Sequence, residues 1–162
     1  MNYCSECGSR VEALSLDGAT RYKCINDECS QVYWNNPTPV VAALVKLDGK
    51  YVIARNRQWP DGIFSLITGY LEAGEEVEPA VLREVSEELG LDGKVINYLG
   101  HHMFKEKNQL ILAFEIEAAG NLKLGEELVE VKQLSIEELV SYDFKPLYIT
   151  EAVIDNWKIL SE

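Results

Sequence analysis

Positive charge is scarce in this chain: 15 Lys and Arg stand against 27 Asp and Glu, a formal net charge of −12. Non-specific nucleic-acid binding depends on Lys and Arg neutralising phosphates, so the composition argues against it. Long apolar runs are absent too. The longest, Val40 to Val45, is far too short for a bilayer core of about 30 Å, and MNYCSECGSR at the amino terminus has no apolar segment that could act as a signal peptide. These absences imply a cytoplasmic protein with no membrane partner. There are no internal repeats or low-complexity tracts. Histidine occurs only as His101 and His102, and neighbours on a strand face opposite ways, which keeps them from sharing one site. Cysteine is missing after residue 29.

What is present reads as soluble and globular, with 47% hydrophobic and 26% charged residues. The length suits one domain, or a small module joined to one of about 125 residues. The four cysteines form two clusters, Cys4-Ser-Glu-Cys7 and Cys24-Ile-Asn-Asp-Glu-Cys29. Pairs separated by two and four residues match a structural Cys₄ zinc site, and in a reducing compartment thiols rather than disulfides are expected. A segment this short builds too small a core to fold unaided, so zinc would supply much of its folding free energy. Residues 1–34 are therefore expected to form a zinc ribbon. Its only basic residues are Arg10, Arg21 and Lys23, which favours scaffolding or dimerisation over nucleic-acid binding.

Strands are expected from Val40 through VVAALVK, then YVIARNR after an Asp48-Gly49 hairpin turn, and IFSLITG after the Trp59-Pro-Asp-Gly62 turn. Lys94 to Phe104, Gln109 to Ala118 and Glu130 to Leu134 are the next strands. Ser135-Ile-Glu-Glu138 is a capping box for a short helix, and Pro146 to Leu160 has the pattern of a longer amphipathic one.

The chemistry concentrates in GYLEAGEEVEPAVLREVSEELGL, residues 69–91. At helical spacing, Val81, Leu82, Val85 and Leu89 make an apolar stripe, while Glu84, Glu87 and Glu88 gather three and four apart. Like charges at such spacings destabilise a helix; a hard divalent cation with carboxylate ligands would resolve the conflict, and on charge alone a solvated acidic face is the other reading. Pro79 is tolerable in the first turn, and Gly90 is a stop signal.

Gly69, Glu75 and Arg83-Glu84-Val85-Ser86-Glu87-Glu88-Leu89-Gly90-Leu91 at these intervals resemble the Nudix box, the signature of the Nudix hydrolases, with every defined position filled. The resemblance implies an α/β fold, a mixed-sheet α/β/α sandwich over residues 35–162. It further implies Mg²⁺ or Mn²⁺ held by Glu84, Glu87, Glu88 and the Gly69 carbonyl, with Arg83 and Glu75 bracing the loop and Glu87 orienting or deprotonating water. Related enzymes place another metal-binding glutamate before the last strand; Glu127 fits that place, with Glu130 second. A zinc ribbon followed by such a domain is similar to the NADH pyrophosphatase branch and to plant-type FAD pyrophosphatases. The Ser-Gln-Pro-Trp-Pro-Phe-Pro motif of the NADH branch is replaced here by His101-His-Met-Phe-Lys-Glu-Lys-Asn-Gln109. Its tryptophan position falls on Phe104, and the aromatic after the box glycine is Tyr70, so these two are expected to sandwich a purine ring.

The expected activity is metal-dependent hydrolysis of the phosphoanhydride of an adenine dinucleotide of NADH, FAD or ADP-ribose type, releasing AMP. Two other readings stand beside it: a nucleotide-sensing regulator and a hydrolase that removes damaged nucleoside triphosphates. A homodimer is expected by analogy with the zinc-ribbon relatives.

Overall fold

The computed structural model describes residues 2–160; the outermost residues of the two expected domains, 1, 161 and 162, lie outside them. The chain divides into two compact units, one through Pro37 and one from Thr38.

The first unit is a three-stranded antiparallel sheet of β1 (Val11–Leu16), β2 (Ala19–Cys24) and β3 (Val32–Tyr33). It buries Cys4 and Cys24 but few other side chains, and its four sulfurs all lie within 4.8 Å of one another.

The second unit is a mixed six-stranded sheet in the order β7-β8-β4-β5-β9, with β6 also paired to β4. Its strands are β4 (Thr38–Leu47), β5 (Lys50–Asn56), β6 (Ile67–Tyr70), β7 (Asp92–Phe104), β8 (Gln109–Ala119) and β9 (Leu128–Leu134). Only β4 and β8 run parallel; the other pairs are antiparallel. Pleat alternation divides β4 between two cores. Val41, Ala43 and Val45 pack against Ala80, Val81, Val85 and Leu89 of α1 (Val77–Leu89). Val40, Ala42 and Leu44 pack with Leu139 of α2 (Ile136–Val140) and Val153, Ile154 and Trp157 of α3 (Tyr148–Leu160). Helices on both faces of a mixed sheet make the α/β/α sandwich. No helix among the described residues is long and apolar enough to cross a membrane.

Local signals account for most boundaries. Asp48 and Gly49, both at positive φ, close the β4–β5 hairpin. Ser135 caps α2 reciprocally: its hydroxyl accepts from the Glu138 amide at 3.3 Å and its amide donates to the Glu138 carboxylate at 2.8 Å. The long helix begins at Tyr148 rather than Pro146, because Pro146 and Leu147 are taken up in a turn in which the Leu147 amide donates to Phe144 at 2.7 Å.

The IFSLITG segment departs from the expected single strand. Ser65 exchanges two 2.9 Å backbone hydrogen bonds with Ala54 of β5, whereas Ile67 to Tyr70 pair with Ala43 to Val40 of β4. The segment changes partners between these points and only its last four residues form a strand. β4 therefore pairs with β5 through Val45 to Leu47 and with β6 through Val40 to Ala43. The sheet forks there, and the fork opens the cleft described next.

Candidate active site

β6 sends consecutive residues to opposite faces. Gly69 lies opposite Val41 and faces α1, while Thr68 and Tyr70 lie opposite Ala42 and Val40 and face the α3 side. A cleft of about 520 Å³ runs across this strand. At one end it is lined by Gly69, Arg83, Glu84, Glu87 and Glu127, and at the other by Leu66, Phe104, Ile111, Leu147 and Val153.

The acidic end is organised by Arg83. Its guanidinium grips Glu75 through two hydrogen bonds, Nε at 2.9 Å and Nη2 at 3.0 Å, and donates to the Tyr70 carbonyl at 3.2 Å. The remaining nitrogen reaches Glu84 at 2.6 Å and Glu87 at 3.1 Å. Glu75 also accepts from the Glu72 amide at 3.2 Å, so one carboxylate ties the loop to the helix. Its hydrogen bonds with Arg83 hold the Glu75 carboxyl below the usual range, and Glu75 followed by Glu84 pushes the Arg83 guanidinium further toward its charged form.

Glu88 is the odd member of the triplet. It is only 8% exposed, and burial, then the charges of Glu84, Glu127 and Glu87, push its carboxyl up to about 8. Four acidic groups thus converge, with Arg83 paired to Glu84 and Glu87, and all offer hard oxygens. That donor set fits Mg²⁺ or Mn²⁺. In this arrangement Glu84 and Glu87 are turned onto Arg83. Among the described residues, only the cysteine quartet brings three or more ligand atoms within common reach of an ion.

Glu127 owes its place to the segment before β9. The Lys123 and Gly125 amides donate to the Leu89 and Glu88 carbonyls at 2.8 Å each, capping α1, and the Arg57 amide holds the Glu127 carbonyl at 2.7 Å. Gly125 is required: a Cβ there would stand 2.5 Å from the Glu87 carbonyl oxygen. At Gly69 the conflict is of another kind, since a Cβ would fall on the Glu84 carboxylate, the free end of a side chain. Glu130, the second choice before the last strand, is engaged by Arg55 at 3.3 Å instead.

Tyr70 and Phe104 both line the cleft. Tyr70 is 60% exposed at the rim, where Gln109 donates to its hydroxyl at 3.3 Å. Phe104 packs on the α3-side core. Sequence reasoning missed Trp59, Asn56, Gln58, Lys107 and Gln109, which also line the cleft. Trp59-Pro-Asp-Gly was legible only as a turn, and nothing local marks the others. His101 and His102 are not among the described lining residues; the His102 ring lies 3.3 Å from the Leu99 carbonyl.

In the first unit, Cys4 and Cys29 sulfurs are 3.8 Å apart and those of Cys7 and Cys24 are 3.4 Å apart. Both are far beyond a disulfide bond of about 2.05 Å and close to the roughly 3.8 Å edge of a tetrahedron with Zn–S bonds of about 2.3 Å. Hydrogen bonds from Ser9 lower the Cys7 thiol to about 6. Cys24 is pushed up to about 12: the Asn26 amide favours its thiolate, but burial and the neighbouring cysteines outweigh it. Four sulfurs this close cannot all ionise without a shared cation, and the donor set and spacing fit zinc.

A family model described as NUDIX domain matches residues 36–156. The chain is 30% identical over 132 residues to the NAD-capped RNA hydrolase NudC of Pseudomonas aeruginosa, covering 81% of this chain and 46% of that protein. It is 27% identical over 145 residues to the protein of the same name from Klebsiella pneumoniae, covering 90% and 53%. The chain thus spans about half the length of these curated relatives. Among solved structures, a NUDIX hydrolase from Nitrosomonas europaea superposes with a TM-score of 0.74 at 22% identity, covering 85% of this chain and 80% of that one, which bears on the fold alone. With the box-bearing loop and helix inside the matched region, the chain belongs to the Nudix family.

Proposed function

We propose that this protein hydrolyses the phosphoanhydride of an adenine dinucleotide of NADH, FAD or ADP-ribose type and releases AMP. The observation that carries the reading is the two-ended cleft over β6, acidic on the α1 face and aromatic on the α3 face. A planar base and an adjacent diphosphate need such a pair of surfaces.

The proposed division of labour follows the contacts. Glu84, Glu87, Glu88 and Glu127, with the Gly69 carbonyl, would hold Mg²⁺ or Mn²⁺. Such an ion, when bound, neutralises phosphate oxygens and lowers the pKa of a coordinated water. Glu87, the more exposed of the carboxylates on Arg83, orients or deprotonates the attacking water. Arg83 and Glu75 keep the loop and helix in register. Tyr70 and Phe104 stack on the purine, a contact of about 0.5–1.5 kcal/mol beyond burial. Residues 1–34 form a zinc ribbon through Cys4, Cys7, Cys24 and Cys29, residues 35–162 form the hydrolase domain, and a second copy of the chain is the expected protein partner.

The names of the curated relatives bring NAD-capped RNA into consideration beside the free dinucleotides, so the acidic composition does not remove nucleic acid from the test. AMP release is measured with Mg²⁺ or Mn²⁺ from NADH, NAD⁺, FAD, ADP-ribose, diadenosine polyphosphates, nucleoside triphosphates and NAD-capped RNA, beside Glu87→Gln. Cleavage of one dinucleotide, lost in the variant, is expected. Pyrophosphate from triphosphates alone would favour the hydrolase of damaged nucleotides. Tight binding without turnover would favour the sensor.

A further inference from the structure

We propose that the paired hydroxyls of Ser65 and Thr150 form a subsite that hydrogen-bonds the polar edge of the substrate's purine ring. This rests on the dinucleotide reading and deepens it.

The two side chains are 85 residues apart in sequence, yet their oxygens lie 2.7 Å from each other. They are 5% and 2% exposed and both line the cleft. Their surroundings are mostly apolar: Ala42, Leu66, Leu147 and Val153 line the same cleft, with Thr68 a further hydroxyl on the α3 side. Each hydroxyl has one hydrogen to donate and two lone pairs to accept. Their mutual bond uses one hydrogen and one lone pair, and no other hydrogen bond to either hydroxyl occurs among the described residues. One O–H donor and several acceptor sites therefore remain in an apolar wall, where unpaired polar groups are costly and are normally satisfied. Nor is the pair needed to satisfy the Ser65 backbone, whose amide and carbonyl are already bonded to Ala54.

A purine ring stacked in this end would bring its Watson–Crick edge within reach of such a pair. Adenine offers an amino donor beside a ring acceptor, and hypoxanthine offers the reverse order. Because hydroxyls rotate, the pair can present donor and acceptor in either order. The subsite therefore accepts amino and keto purines alike and disfavours a purine with no 6-substituent.

The test is equilibrium binding of AMP, IMP and purine riboside 5′-monophosphate to the full chain, Ser65→Ala, Thr150→Val and Thr150→Ser. The unaltered protein should bind AMP and IMP within about 3-fold of each other, and the unsubstituted purine about 10-fold more weakly, the size of one good hydrogen bond. Ser65→Ala and Thr150→Val should bring AMP and IMP down to that weaker level while leaving the unsubstituted purine unchanged; Thr150→Ser should keep the original pattern. Equal weakening of all three ligands, a preference of about 30-fold or more between AMP and IMP, or no binding of any would overturn the subsite. ADP-ribose and its hypoxanthine analogue, assayed for hydrolysis in parallel, separate the two claims. The binding pattern without cleavage sinks the hydrolase and keeps the subsite; cleavage without the pattern does the reverse.

Discussion

Arg83 joins five oxygens at a single point: both of Glu75, the Tyr70 carbonyl, and one each of Glu84 and Glu87. Lysine keeps the charge but not the planar fork, so Arg83→Lys should lower kcat by about 10–100-fold, as loss of a ligand-orienting partner does. Its thermal midpoint should move much less. Gly69→Ala separates the same quantities in another way. The added Cβ meets the free end of Glu84, which can swing aside, so the fold should survive while apparent Mg²⁺ affinity falls by about 10–100-fold; isothermal titration with Mg²⁺ beside a melting curve checks both. Glu88 supplies a pH signature. Its carboxyl lies at about 8 against an ordinary 4.5, so between those values the native state holds a proton that the unfolded chain has released. Stability in chelator should then fall as pH rises from 4.5 to 8, by at most about 1.4 kcal/mol per unit. Urea titrations across that range read the slope, and a flat or rising profile would remove the conflict among the carboxylates.

At the scale of elements, the acidic end depends on the segment that caps α1. Two amides, from Lys123 and Gly125, close on its last carbonyls, and the same segment carries Glu127 beside the helix. Gly125→Ala sets a methyl against the Glu87 backbone rather than against a movable side chain. It should cost about 1–3 kcal/mol, as overpacking does, and lower activity together with stability, in contrast to Gly69→Ala. The fork in the sheet is the second decisive element. The chain leaves β5 after Ser65 and joins β4 as β6, and this change of partner turns one expected strand into a bridge and a short strand.

At the scale of the molecule, the two compact units differ in what holds them. The unit from Thr38 has two apolar cores, one on each face of its sheet; the unit through Pro37 has little beyond its cysteines. Stripping bound metal with a strong chelator should therefore unfold the first unit and leave β4 and β8 protected. Hydrogen exchange followed by fragment mass analysis reads this directly. Protection retained in β1 and β2 would show that the small sheet folds without an ion.

The sequence alone determined the elements whose signals lie within a few residues of one another. The Asp48-Gly49 turn, the Ser135 capping box, the helix ending at Gly90 and the clustering of four cysteines all follow from side-chain chemistry at short spacing, and the box-bearing loop and helix could be read the same way. Tertiary structure decided everything that depends on which strand pairs with which. Two irregularities in β7, between Val95 and Asn97 and between Tyr98 and Gly100, reset the alternation that places His102 and Phe104 on one face. Pairing of β6 with β4 set Gly69 against α1 and Tyr70 on the opposite face, and a partner 85 residues away closed the hydroxyl pair at Ser65. Hydrogen bonds within a turn or a helix are fixed by neighbours. Register between strands is instead settled only when whole faces are buried together, and no local pattern carries that information.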